Sequence, residues 1–182
     1  MNKLPIPARL QSRPTHRGFP VPYINLNAPD GTPDFRAVDE EKRAEVIKFH
    51  LCQLCRQKLG RHIFFTGGPN ATQHLCFFEP ATHLECLIYA MQTCPYILRK
   101  CEHADVHAVA AKHEGHVKID TTRQLPRDDC WHIIKATDYT LVRNGNSIDL
   151  RPLGVTYTSP KLFPENMTAA DWIDWEATLR AA

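Results

Sequence analysis

Long apolar runs are missing from this sequence, since no stretch approaches the ~18 residues of a membrane-spanning helix. The first residues, Met-Asn-Lys-Leu-Pro-Ile-Pro, lack the apolar core of a secretory signal. We therefore expect a cytoplasmic protein without a membrane segment. The sequence also lacks a large excess of either charge: it has 22 Lys and Arg and 20 Asp and Glu, which gives a net charge of +2. Net charge alone therefore does not indicate a strongly basic nucleic-acid binder.

Familiar catalytic motifs are also absent. The sequence has no Gly-x-Ser-x-Gly elbow, the turn that carries the nucleophile of many serine hydrolases. Gly67-Gly68-Pro69-Asn70 lacks the Gly-x-x-x-x-Gly-Lys pattern of a phosphate-binding loop. These absences favour a non-enzymatic protein, but they leave catalysis as an open question.

Cysteine, histidine and proline are abundant, with 7, 10 and 14 copies in 182 residues. An odd number of cysteines argues against a closed disulfide framework, because one thiol must remain unpaired. In the reducing compartment that we expect, clustered cysteines are more often metal ligands or core residues. Their spacing must decide between these two roles.

Half of the 14 prolines lie in residues 1–33, and proline favours extended backbone over helix. We expect this segment to be an extended arm, followed by a single zinc-stabilised domain over residues 34–182. The arm is basic, so it either contacts a phosphate backbone or acidic partner or packs on its own domain. Its four cations are Lys3, Arg9, Arg13 and Arg17.

Local patterns predict an α+β fold. A helix should begin after Asp39, which is a good N-cap residue. The C-terminal third should form an antiparallel β-meander, with strands over 130–135, 137–143, 147–153 and 155–158. Asn144-Gly145 is a strong hairpin signal, since both residue types tolerate positive φ. Thr168-Ala-Ala-Asp171 resembles a capping box and should open a terminal helix that ends near Arg180.

Two pairs of metal-ligand residues stand out in the middle of the chain. Cys52-Gln-Leu-Cys55 has the spacing of a zinc knuckle. His83-Leu-Glu-Cys86 places two further ligands three residues apart, on one face of a helix start. Thr82 and Glu85 form a possible capping box for that helix.

Between the pairs, residues 62–65 and 74–78 are strand-like and residues 66–70 favour a turn. Knuckle, β-hairpin and ligand-bearing helix together predict a treble-clef zinc finger. A Cys3His set is a common closed tetrahedral Zn²⁺ site, so the sequence predicts structural zinc.

A longer pattern of residues runs through the chain around these ligands. Its positions are Gly31, Pro33, Phe35, Val38, Asp39, Leu51, Cys52, Cys55, Phe65, Gly68, Pro69, Glu79, Pro80, His83, Cys86, Tyr89, Cys94 and Pro95. With this pattern the chain resembles an uncharacterised family of actinobacterial and phage-type proteins from mobile elements, over roughly residues 20–160. The chain departs from the family pattern at Ala81, where the family has proline, and in the His-rich stretch over residues 101–116. The resemblance implies zinc binding at the same four ligands and no established activity.

A second metal site is a further hypothesis, formed by Cys94, Cys101, His103 and His107. His103 and His107 would share a face of a short helix predicted over residues 103–113. Cys94 is otherwise a core residue that ends the preceding helix. Cys76 and Cys130 lie on predicted strands and are expected to be core residues.

We consider two functions. The first is a non-enzymatic module that binds nucleic acid or another protein. Its candidate nucleic-acid contacts are Arg56, Lys58, Arg61, Arg99 and Lys100. The alternative is a metal-dependent ββα-type nuclease resembling HNH enzymes, with His62 and His74 as candidate bases on the hairpin and Asn70 between them. The usual Asp-His pair of such enzymes is absent. The sequence does not indicate an oligomeric state.

Overall fold

The fold is described from a computed structural model, which places residues 4–98, 130–145 and 147–181. The strands in these ranges are β1 (Thr15–His16), β2 (Phe19–Pro20), β3 (Asn25–Asn27), β4 (Pro33–Val38), β5 (Ile63–Gly67), β6 (His132–Ala136), β7 (Asp138–Asn144), β8 (Ser147–Leu153) and β9 (Tyr157–Thr158). The α-helices are α1 (Glu40–Phe49), α2 (Pro69–His74), α3 (Leu84–Thr93) and α4 (Ala169–Ala181). Short 3-10 helices span Ala8–Leu10 and Pro164–Asn166. The protein therefore has the predicted α+β composition.

The N-terminal segment forms small local structures that pack on the rest of the chain. β1 pairs with β2, and β3 pairs with β4, so backbone pairing crosses residue 33. Val21 and Ile24 are buried. Tyr23 and Ile24 donate backbone hydrogen bonds to Leu54 O and Gln53 O. The sequence left open whether this segment contacts a partner or packs on its own chain, and the structure shows it packed on the chain. The division into an arm over residues 1–33 and a domain over residues 34–182 stays a prediction.

Helix α1 begins where the sequence predicts. The Asp39 carboxylate accepts hydrogen bonds from the backbone N–H groups of Glu41 and Lys42, which satisfies two donors of the first turn. The helix ends at His50, whose φ of 51° is left-handed. This ending turns the chain directly into Leu51 and Cys52.

The predicted hairpin over residues 62–78 is wrong. Residues 63–67 form β5, but Gly68 and Pro69 then open the short helix α2, since proline suits the first turn of a helix. Gly67 allows this close return, because a Cβ there would lie 2.9 Å from that of Ala71. β5 pairs instead with β6, from Ile63 opposite Ala136 to Gly67 opposite His132.

The strands of the C-terminal third occur close to their predicted bounds, but they do not form a simple meander. β6 lies between β5 and β9, whereas β7 and β8 form a separate hairpin. Four of the five residues in β6 are buried, which explains why it needs a partner on each side. The hairpin turns one residue later than predicted: Asn144 is the last residue of β7 and pairs with Ser147, and Gly145, with a φ of +59°, opens the turn.

The predicted capping box of the terminal helix is present. Thr168 N donates to Asp171 Oδ2 at 2.6 Å, and Asp171 N donates to Thr168 Oγ1 at 3.3 Å. These hydrogen bonds lower the pKa of Asp171. At the other end, the buried Lys135 ammonium donates to Leu179 O at 2.9 Å. The helix is therefore capped at its start and fixed to the central sheet near its end.

Three clusters of buried side chains hold the described structure together. The largest, here called the helix–sheet core, joins α3, α4 and the strands β5 and β6. Its buried members are Phe64, Leu84, Leu87, Ile88, Met91, Ile133, Leu162, Trp172 and Leu179. A second cluster centres on Phe65, Phe77 and Leu150. The third, here called the cysteine cluster, contains Leu10, Cys52, Cys55, Cys86 and Tyr89. Within the ranges placed, every helix is too short or too polar to cross a bilayer.

Candidate metal centre

The structure brings the four predicted ligands together. The sulfurs of Cys52, Cys55 and Cys86 and a ring nitrogen of His83 lie within 4.8 Å of one another. All four residues are buried, and none exceeds the 6% relative exposure of His83. The cluster could hold a metal ion.

A tight backbone turn positions Cys52 and Cys55. Leu51 pairs with Lys58 across the turn, and Cys52 N donates to Gln57 O at 2.9 Å. Arg56 N donates back to Cys52 O at 2.8 Å, and the φ of Arg56 is +67°. This left-handed residue lets the chain reverse directly after Cys55, so that both sulfurs point to the same side.

The start of α3 positions the other two ligands. His83 is the N-cap residue and Cys86 lies three residues on, in the first turn. The predicted capping box is wrong, because the helix begins one residue later than expected. The Thr82 hydroxyl donates instead to Phe64 O, and the Thr82 and Phe64 backbones exchange hydrogen bonds of 2.9 and 3.0 Å. This pairing with β5 fixes where the ligand helix starts.

A hydrogen bond to the knuckle selects the tautomer of His83. Its Nε2 lies 3.0 Å from Lys58 O, while its Nδ1 lies 3.4 Å from Cys55 Sγ. A carbonyl oxygen only accepts hydrogen bonds, so Nε2 carries a proton, and Nδ1 is the ring nitrogen that would bind a metal once deprotonated. Hydrogen bonding of the second ring nitrogen is typical of metal-ligating histidines.

The four side chains strongly perturb one another's ionisation. Hydrogen bonds with Cys52 and Cys86 lower the pKa of the Cys55 thiol, whereas hydrogen bonds with Cys52 and Cys55 raise the pKa of the Cys86 thiol. Burial disfavours charge on His83, but hydrogen bonds to the Cys52 and Cys55 sulfurs outweigh it and raise the pKa of His83 to about 10. The four groups thus compete for protons that a bound divalent cation would displace.

The N-terminal segment covers this cluster. Leu10 is 4% exposed and packs against Cys52, Cys55 and Cys86 together with Tyr89. Arg9 spans both halves of the site: its Nε donates to Glu85 Oε1 at 2.6 Å, and its Nη1 donates to Gln57 Oε1 at 2.7 Å. Sequence reasoning could not find this cover, because a leucine in a proline-rich segment has no spacing pattern that links it to distant cysteines.

Fold and site together define an α+β protein with a buried Cys3His cluster suited to a metal ion. Comparisons with protein-family models, with curated proteins and with solved structures found no match to this chain. The resemblance to an actinobacterial and phage-type family therefore stays a prediction.

The proposed second metal site lies mostly outside the described residues. Cys101, His103, His107 and the short helix predicted over residues 103–113 are not described, and only Cys94 is. Cys94 is half-buried and ends α3, with its backbone N–H bonded to Ala90 O. Cys130 is buried, as expected of a core residue. Cys76 is only half-buried, and its thiol donates to Asp149 Oδ2 at 3.4 Å.

The candidate nucleic-acid contacts differ in whether their side chains already bond to other parts of the protein. Arg56 bonds to Glu45 at 2.8 Å, and its guanidinium lies 4.8 Å from the centre of the Tyr23 ring. Lys58 Nζ donates to Phe49 O at 2.7 Å. Arg61 is exposed, and Arg99 and Lys100 fall outside the described residues.

The geometry expected for a ββα-type nuclease rested on the hairpin that does not form. His62 precedes β5, whereas Asn70 and His74 lie on α2, and all three side chains are exposed. The two histidines are therefore on different elements from those that the alternative required.

Proposed function

We propose that Cys52, Cys55, His83 and Cys86 bind one structural Zn²⁺. Zinc bonds of about 2.3 Å to sulfur and 2.0 Å to nitrogen imply ligand separations near 3.8 Å between sulfurs and about 3.5 Å between sulfur and nitrogen in a tetrahedron. The 3.4 Å between Cys55 Sγ and His83 Nδ1 and the 4.8 Å limit on the set fit this geometry with little rearrangement. Three sulfurs and one imidazole are a donor set that zinc favours.

The order of elements around the site supports a treble-clef-like core. The knuckle comes first, the antiparallel pair of Phe64 and Thr82 follows, and α3 then begins with the last two ligands. The connection between the paired residues is longer than in a simple hairpin, since it contains α2. We propose the treble clef on this order of elements.

The proposed metal is structural because its ligand set is closed. Four protein ligands fill a tetrahedral coordination shell, and burial beneath Leu10 and Tyr89 leaves no direct path for a substrate. The protein then acts through its surface, as a non-enzymatic module that binds nucleic acid or another protein. Burial of all four ligands is the observation that carries this proposal.

Cobalt substitution tests the closed site directly. Co²⁺ in a tetrahedral site with three thiolates gives intense visible bands and sulfur-to-cobalt charge transfer. We expect this spectrum for the full chain, its loss in Cys52→Ser, and an unchanged spectrum for Cys130→Ala. The weak bands of a six-coordinate ion would contradict a closed Cys3His site.

Salt-dependent binding tests the nucleic-acid form of the interaction module. Contacts with phosphates release counterions, so affinity for DNA or RNA should fall steeply as salt rises. Arg61→Gln should weaken this binding. Arg56 and Lys58 are held by intramolecular hydrogen bonds, whereas Arg61 has no such bond within the described residues, so its charge is available to a phosphate. Absence of binding to any DNA or RNA at low salt would leave protein as the partner class.

A further inference from the structure

A cavity of about 280 Å³ lies among the N-terminal hairpins and α1, and none of the four metal ligands lines it. β1, β3 and α1 each contribute side chains. The polar and aromatic groups used below are Arg13, Thr15, His16, Tyr23, Asn27 and Lys42. None of the lining residues, all of which lie in the described ranges, is an aspartate or a glutamate. The cavity wall is therefore positively charged.

Arg13 is held in place with most of its donors unused. Its Nε donates to Val21 O at 3.0 Å, and its guanidinium carbon lies 5.3 Å from the centre of the Tyr23 ring. Its two Nη groups have no hydrogen-bond partner in the described structure. Burial lowers the pKa of Arg13. A fixed guanidinium with free Nη donors is prepared to bind an anion.

The other lining groups fit the same kind of ligand. The Lys42 ammonium lies 3.0 Å from Asn25 O and 3.0 Å from Asp39 Oδ2, so its charge is partly compensated from outside the cavity. Thr15, His16 and Asn27 add a hydroxyl, an imidazole and an amide, each able to donate to an oxyanion. Arg13 is thus the main cation, surrounded by weaker donors.

We propose that this cavity binds a small phosphate monoester, with Arg13 making a two-pronged contact to the phosphate oxygens. A volume of about 280 Å³ lies near the lower end of small-molecule pockets, which suits a phosphate group on a compact organic body. The site is independent of the proposed zinc, because it shares no ligand with it.

Titration of the zinc-loaded full chain with inorganic phosphate and with glycerol phosphate tests the proposal. Amide NMR shifts report where each probe binds. We expect saturable shifts at Arg13, His16 and Asn27, with tighter binding of glycerol phosphate than of inorganic phosphate. Arg13→Gln should weaken binding by about tenfold or more, since a charge-assisted bidentate contact is lost.

Arg17→Asn is the matched control. It removes the same charge from the same N-terminal segment, four residues further along the chain, and asparagine tolerates the φ of +51° at that position. Its affinity should stay within about twofold of the unmodified chain, because Arg17 does not line the cavity. If Arg13→Gln loses structure, Asn27→Asp offers a second variant. It places a negative charge at the cavity wall, which should repel the phosphate and also weaken binding.

Three results would overturn the proposal. One is the absence of saturable binding at ligand concentrations on the order of 10 mM. Another is equal weakening by Arg17→Asn and Arg13→Gln, which would show diffuse attraction to a basic surface. The third is tighter, Arg13-dependent binding of a short single-stranded DNA, which would assign the cavity to a nucleic-acid backbone.

Discussion

The cysteine cluster and the helix–sheet core are stabilised by different means. The cluster contains three cysteines and two larger side chains, Leu10 and Tyr89. The helix–sheet core buries nine residues, among them Phe64, Met91 and Trp172. Burying a large apolar side chain contributes about 1.5–3 kcal/mol, so burial alone stabilises the core well and the cluster poorly. We therefore expect the first region to depend on the proposed metal and the second region not to.

The largest expected effect is loss of a ligand. Cys52→Ser should abolish metal binding and lower the free energy of unfolding by about 4 kcal/mol or more, because structural zinc contributes directly to folding. Chemical denaturation with metal analysis measures both changes. Cys130→Ala is the control, since Cys130 is equally buried but distant from the cluster in the chain. It should keep its metal and lose only about 1–2 kcal/mol. Equal losses in the two variants would remove the contrast between the regions.

Metal removal should affect the two regions differently. After chelation, hydrogen exchange should accelerate at the knuckle amides of Cys52, Arg56 and Leu59, whose backbone bonds close the turn. The amides of Ile134 and Leu150 should keep most of their protection, because they lie in buried strands. Uniform loss of protection along the chain would show that both regions unfold as one unit.

A cavity in the helix–sheet core should produce the opposite result. Leu179 is fully buried, so Leu179→Ala should cost about 2–4 kcal/mol of unfolding free energy while the metal content stays unchanged. Ile173 lies on the same helix and is 69% exposed, so Ile173→Ala should change stability by less than about 0.5 kcal/mol. Metal loss in Leu179→Ala would mean that the core also supports the site.

The smallest predicted change concerns the cover over the cysteines. Leu10→Ala should cost about 2 kcal/mol and keep the metal, but a chelator should extract that metal faster. The cause is that Leu10 lies in one buried cluster with three of the four proposed ligands, Cys52, Cys55 and Cys86. Leu4→Ala, at a 39% exposed position of the same segment, serves as the control. An unchanged extraction rate would show that the N-terminal segment does not shield the site.

Short-range patterns predicted much of what is observed. The Asp39 cap, the Thr168–Asp171 capping box and the turn after Asn144 all involve residues within a few positions of one another. The spacing of Cys52 with Cys55 and of His83 with Cys86 likewise identified a set that the fold brings together. Each cap, turn and ligand pair is determined by local spacing, so the sequence is sufficient for it.

Long-range pairing could not be predicted in the same way. Residues 62–65 were correctly expected to be extended, but their partner is β6, about seventy residues later, and not the neighbouring residues 74–78. The choice depends on burial, since β6 presents Ile133 and Ile134, whereas the segment after α2 pairs through Phe77 with Leu150. The contact of Leu10 with the cysteines and the bond from His83 to Lys58 O also depend on tertiary structure.

The identity and number of bound metal ions per chain test the central claim most directly. Native mass spectrometry of the full chain, combined with elemental analysis, should find one Zn²⁺ that is absent from Cys52→Ser and retained by Cys130→Ala. A purified, folded chain that binds no zinc when the metal is supplied, or that keeps its zinc in Cys52→Ser, would contradict the account.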